Sequence, residues 1–265
     1  MGTPITARIA YSGRALARPR YYANAHDRDE VDITPMPMPI GDARAAGCTI
    51  DREGFELVHH ASAVRDFADR AEVAAIHKLE IEALVQAQTG ADLVVVSSPG
   101  LLRFSEKSGK AGTLNNSMPA RFAHIDVSDQ TAAMFAARGT DRKFLRYAQY
   151  NVWRALSAPP QDVPLALCDA RSLSPADLIV ADAVFDEPGK PEWSFESYVV
   201  AHNPAHRWLF FPNLTRDEAI LFKTKDSDSE RAHHVPHVAF DLPDCPADAP
   251  PRTSIEMRAT AYWWA

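Results

Sequence analysis

His124 and Asp126, in the run Arg121-Phe-Ala-His-Ile-Asp-Val127, set an imidazole and a carboxylate two residues apart. On a β-strand, residues i and i+2 emerge on one face, so the pair offers two metal donors from one rigid element while Ile125 turns away. An ion held by two imidazoles and one carboxylate keeps coordination positions open. Ferrous iron needs such positions to take a two-oxygen keto acid and dioxygen together. Taken alone, in a chain with 10 histidines, the commoner explanation of such a pair is a surface histidine beside a solvated aspartate.

A second imidazole must come from a distant strand, and His202, His206, His233, His234 and His237 are the candidates. His202/His206 and His233/His237 both have helical spacing, but Pro204 and Pro236 oppose a helix in each case, and no Glu follows His202 as a zinc-protease helix would require. His202 and His206 read better as turn residues. His237 opens the apolar run Val238-Ala-Phe240, where packing would fix a ligand.

Fifteen residues beyond His237, Arg252 and Ser254 share a strand face in Pro251-Arg-Thr-Ser-Ile-Glu-Met257. A guanidinium fork with a hydroxyl beside it suits the distal carboxylate of 2-oxoglutarate. Alone, an ordinary surface arginine with a strand-start serine explains the pair as well. Arg258 lies further into the same strand and is a rival anchor. Lys223 could supplement the charge, although a lysine snorkelling to solvent is the blander reading. Asn151, on a strand face with Trp153, could meet the keto-acid end of the co-substrate or shape the cavity, while Trp153 and the terminal Tyr262-Trp-Trp264 read as packing.

These residues need strands to hold them. Short apolar bursts separated by turn residues predict strands over 93–96, 121–127, 149–156, 165–168, 194–201, 208–211, 219–223, 237–240 and 254–264. Many short strands argue for a sandwich or jelly roll. Residues 6–58, rich in proline, suit edge strands and a peripheral layer. The clearest helix spans 70–89, with Val73, His77, Ile81, Leu84 and Val85 on one face and Gly90 as the stop; its charged face places it outside a sheet. The polar stretch 105–117 predicts a mobile loop just ahead of the His-x-Asp segment.

The 265 residues fit one domain, with 46% apolar and 24% charged residues, an ordinary globular balance. A net charge of -7 and the lack of a basic, aromatic-interleaved stripe argue against nucleic acid and anionic membrane surfaces, so a small-molecule substrate is the expected partner. No apolar run approaches the length of a membrane span, and the N-terminal residues lack a secretory apolar core. Three widely spaced cysteines form neither a disulfide framework nor a zinc ribbon, and the cytoplasm is the expected location.

The order His-x-Asp, distant His, then Arg-x-Ser resembles that of the 2-oxoglutarate and isopenicillin-N-synthase-type oxygenases. More closely, residues 7–262 resemble the family of the cephamycin methoxylase component and the fungal hydroxylase/desaturase proteins. The matching stretches are Asn151-Val-Trp-Arg154, Asp162-Val-Pro-Leu-Ala-Leu-Cys-Asp169, Asn203-Pro-Ala-His-Arg-Trp208, Asp217-Glu218, Lys223 with Asp226-Ser227, Pro236-His-Val-Ala-Phe240 and Pro251-Arg-Thr-Ser-Ile-Glu-Met-Arg258. The resemblance implies a β-dominated α/β fold, a double-stranded β-helix (jelly roll) with flanking helices. It also implies a dioxygenase using Fe(II), 2-oxoglutarate and O2 to hydroxylate, desaturate or cyclise a small specialised metabolite. A homodimer or a partner enzyme stays open, as does the alternative of a non-catalytic jelly-roll helper subunit. The segment Leu101-Leu-Arg-Phe-Ser105 departs from the family's pattern, so substrate contacts there do not transfer.

Overall fold

The computed structural model describes residues 3–264, and strands dominate its regular structure. In chain order they are β1 (Ile5–Ser12), β2 (Arg20–Tyr22), β3 (Ile33–Asp42), β4 (Phe55–His59), β5 (Leu93–Val96), β6 (Leu101–Phe104), β7 (His124–Ile125) and β8 (Arg146–Ala155). Then follow β9 (Leu165–Cys168), β10 (Leu178–Phe185), β11 (Trp193–Val200), β12 (Trp208–Phe210), β13 (Glu218–Asp226), β14 (His237–Ala239) and β15 (Thr253–Trp263).

They form two sheets. The larger has nine strands in the order β1-β3-β12-β9-β14-β7-β11-β10-β2. The smaller runs β4-β13-β8-β15-β5, with β6 also paired to β15. Among the described residues only the β2/β10 and β3/β12 pairings are parallel. The expected jelly-roll architecture is therefore present, with β1 and the proline-bearing β3 at one edge of the larger sheet.

Side-chain alternation decides which residues face inward. On β15, Ile255, Met257, Ala259 and Ala261 join Tyr150 and Val152 of β8 in an apolar layer under Val73, Ile81, Leu84 and Val85 of the outer helix. Ser254, Glu256 and Arg258 of β15, with Asn151 and Trp153 of β8, consequently take the opposite face. On the other side, Ala166 and Cys168 of β9 and Val238 of β14 pack outward with Ile9, Tyr11, Ile40 and Trp208. Leu165 and Leu167 turn inward to meet Phe55, Trp153, Ile220 and Phe222. The site lies beside this inner layer, between the sheets.

Three departures from expectation have local causes. The helix at 70–89 contains a π turn at Val73–His77, where the buried His77 ring is held by Glu80 at 3.0 Å. The strand expected at 121–127 shrinks to His124–Ile125, because Ser128 caps the unexpected helix Asp129–Gly139 by accepting from the Thr131 N–H. A further strand, β10, which the sequence reading does not assign, pairs along its full length with β11.

Candidate metal centre

His124 of β7 and His237 of β14 face each other as an antiparallel pair, with ring centroids 4.3 Å apart. Each ring is turned by its own chain: Nδ1 of His124 meets the Phe122 carbonyl at 2.9 Å, and Nδ1 of His237 meets the Val235 carbonyl at 3.2 Å. With Nδ1 the donor in both rings, both Nε2 atoms are left as acceptors on the same side. Asp126 Oδ1 lies 3.5 Å from Nε2 of His124 and 3.8 Å from Nε2 of His237. All three residues are buried, and their donor atoms lie within 4.8 Å of one another. Two imidazoles and one carboxylate so placed could hold one ion.

The electrostatics suit a cation. Burial pushes the Asp126 carboxyl up, but the Arg258 guanidinium and the two imidazoles outweigh it and hold the group well below the usual carboxylate range. Burial, helped by the neighbouring His124, lowers His237 to about 3, so its imidazole is neutral at neutral pH.

Beside the triad a narrow cavity runs past Trp153 and Leu165 to Arg252. Arg252 is 1% exposed, yet its Nε and Nη2 atoms and the Ser254 Oγ have no hydrogen-bond partner among the described residues. Burial and the nearby Arg103 and Arg121 push its guanidinium down to about 9. Its backbone is pinned, since Asp162 accepts from the Arg252 N–H at 2.8 Å and from the Ser105 hydroxyl at 2.9 Å. Buried, unpartnered polar atoms are costly, and the guanidinium of Arg252, which lines this cavity, fits the carboxylate of a co-substrate whose other end reaches the three candidate donors.

The remaining expected residues fall elsewhere. Asn151 Nδ2 donates to Asp126 Oδ2 at 2.6 Å, so it meets the candidate metal carboxylate instead of a keto acid. Arg258 is not part of the Arg252 pocket: its Nη2 lies 3.2 Å from Asp126 Oδ1 and its Nε donates to Glu256. Lys223 corrects both expectations made for it. It neither nears Arg252 nor snorkels, because its buried ammonium is held by Asp51 at 2.7 Å and Asp226 at 2.8 Å. His206 is a packing residue tied to Tyr11 and Asp177, and His234 meets Asp129.

Sequence reasoning overlooked Arg103. Its Nη1 donates to Asn116 and to the Met118 carbonyl, and it lines the cavity that leads to Arg252. The signal was an arginine inside the apolar run Leu101–Phe104. A larger cavity of ≈ 780 Å³ opens on Asp126, Asn151 and Arg258. Phe135, Phe185, Trp193 and Phe195 wall it, with Trp193 stacked on Phe185 at 4.5 Å.

The family described as "Oxidoreductase/YMDC permease-like domain" matches residues 11–262. The "Fe(II)/2-oxoglutarate-dependent dioxygenase nvfI" of Aspergillus novofumigatus is 30% identical over 86% of this chain and 84% of its own length. The chain belongs to the Fe(II)/2-oxoglutarate-dependent dioxygenase family. Two further relatives of this dioxygenase are 29% identical. They are the "Alpha-ketoglutarate-dependent dioxygenase phiK" of a fungal species, over 88% of this chain and 86% of its own, and the "Hydroxylase/desaturase efuI" of Hormonema carpetanum, over 86% and 84%. In fold the dioxygenase matches the structure of "iron and alpha-ketoglutarate-dependent endoperoxidase NvfI with different conformation" with a TM-score of 0.87 at 23% identity, covering 100% of this chain and 99% of the other. The fungal half of the resemblance seen in the sequence is the half these relatives carry. The oxygenase depends on iron and 2-oxoglutarate, and its substrate is a small molecule. Among the described residues no helix is long and apolar enough to cross a membrane.

Proposed function

We propose that His124, Asp126 and His237 hold the iron, that Arg252 and Ser254 bind the distal carboxylate of 2-oxoglutarate, and that the ≈ 780 Å³ cavity receives the specialised metabolite to be oxidised. The observation that carries this reading is the buried guanidinium of Arg252, unpartnered at Nε and Nη2, at the end of a cavity that begins at the three metal donors. Iron with 2-oxoglutarate and dioxygen supplies the oxidant for a substrate C–H bond. The chain's own residues orient and exclude. The two imidazoles are fixed by carbonyls, Asp162 fixes Arg252, and Phe222 packs against the His237 ring at 4.8 Å. The aromatic walls favour a bulky apolar skeleton, and Arg258 offers a polar contact nearest the metal position. Hydroxylation, desaturation and ring closure all begin at such a bond.

A helper subunit that only binds would gain nothing from three buried metal donors beside an unpartnered arginine. We read the chain as one domain, since both sheets contribute to one site. We place it in the cytoplasm, a reading supported by three cysteines without disulfides. The test is conversion of 2-oxoglutarate to succinate by iron-loaded protein. Turnover in the wild type and none in His237→Ala is expected; equal turnover in both would refute the ligand assignment.

A further inference from the structure

Asn151 of β8 and Arg258 of β15 are direct cross-strand partners in the smaller sheet, and both reach across to Asp126 beyond the end of β7 in the larger one. They meet different oxygens. Asn151 Nδ2 donates to Oδ2 at 2.6 Å, whereas Oδ1 faces Arg258 and is the oxygen near both imidazole Nε2 atoms. We infer that Asn151 is the positioning residue of the metal carboxylate: by occupying Oδ2 it makes Asp126 a one-oxygen ligand through Oδ1 and keeps a coordination position free. The inference rests on the reading that the triad binds metal.

Asn151 is 1% exposed, and no other hydrogen bond claims its side-chain amide among the described residues, so its role is local to Asp126. A carboxylate free to rotate can chelate through both oxygens and take a second position at the ion, and a donated hydrogen bond at Oδ2 opposes that. Arg258 cannot perform this task, since it sits on the ligating oxygen and is shared with Glu256. Its charge instead keeps Asp126 ionised in a buried setting. The metal carboxylate is thus carried by one sheet and oriented by the other, which ties coordination geometry to the way the two sheets dock.

The test uses Co(II) alone, added anaerobically to metal-free protein, with dissociation constants and visible ligand-field spectra recorded for wild type and Asn151→Leu. Leucine keeps the branched shape and removes the donor. The expected result is a dissociation constant raised about 10- to 100-fold, with a weaker ligand-field band as the carboxylate takes a second position. Asn151→Ser, which restores a donor, should recover part of both. Loss of thermal stability with an unchanged band and affinity would mean that Asn151 only packs, and overturns the inference. Should the leucine variant not fold, Asn151→Ala, which only removes atoms, is read by the same two signals. If wild-type protein binds no Co(II), the triad itself fails.

Discussion

His124 and His237 are directly opposed across two short antiparallel strands, although 112 residues of chain separate them. That register places both Nε2 atoms beside Asp126 Oδ1, and a one-residue slip of either strand would turn a ring out of the site. Alanine at His124, Asp126 or His237 is therefore expected to abolish stoichiometric Fe(II) binding while the protein stays folded. His206→Ala should retain the metal and lose stability instead, because it strips partners from Tyr11 and Asp177. Metal content by plasma emission and thermal unfolding of the four variants decide the matter; metal lost from His206→Ala and kept by His237→Ala would reverse the assignment.

For Arg252, a charged hydrogen bond of this kind contributes roughly 1.5 to 3 kcal/mol, about one to two orders of magnitude in affinity. Arg252→Gln should raise the 2-oxoglutarate dissociation constant by that factor and leave Fe(II) affinity nearly unchanged. Lys223→Met should do the reverse in kind, with 2-oxoglutarate binding intact and stability lowered, because it leaves Asp226 short of one buried counter-charge. Calorimetric titration of both variants separates the two roles, and a loss of 2-oxoglutarate affinity in Lys223→Met would redraw the pocket.

Much of this site is legible from alternation alone. His124/Asp126, Asn151/Trp153 and Arg252/Ser254 share faces by the i,i+2 rule, and the fold keeps all three pairings. Alternation cannot say which inward rows meet across the sandwich. It left Arg258 as a rival to Arg252, although the two lie six residues apart on one row and face different parts of the site. Nor could it bury Lys223, since the partners that neutralise it include Asp51, far away in sequence. The helix Asp129–Gly139 was within reach: Ser128 before an alanine-rich run is a capping signal, and it explains why β7 stops after Ile125.

Residues 105–117 are expected to act as a lid. Gly109 and Gly112 adopt positive φ angles of 67° and 75°, and Asn116 lines the ≈ 780 Å³ cavity. The segment is latched through Asn24, which donates to Asn115 Oδ1 at 2.9 Å and accepts from the Asn116 N–H at 2.7 Å. Hydrogen exchange should be fast here in the free enzyme, slower with substrate bound, and faster still in Asn24→Ala. Strong, equal protection with and without substrate would contradict gating by this segment.

Acid should weaken the Arg44–Glu218 pair at the far end of β13. The Arg44 guanidinium at 2.7 Å, opposed by burial and helped by the Thr215 N–H, holds the Glu218 carboxyl at about 2 against an ordinary 4.5. A depressed carboxyl contributes stability above its unfolded value and loses it as pH falls from 4.5 toward 2. Arg44→Ala should therefore cost up to about 1 kcal/mol at pH 7, and the gap from wild type should close near pH 2. Urea unfolding across that range checks the sign; a gap that widens on acidification would contradict it.

The central claim is that one buried triad and one buried arginine assemble an iron and 2-oxoglutarate site. The most direct measurement is anaerobic titration of metal-free protein with Fe(II) and then 2-oxoglutarate, monitored for the weak visible metal-to-ligand charge-transfer band. The account predicts a band that saturates at one Fe(II) per chain, needs more 2-oxoglutarate in Arg252→Gln, and is absent in His237→Ala. Wild-type protein that binds Fe(II) and 2-oxoglutarate without the band, or a His237→Ala variant that keeps it undiminished, would contradict the account.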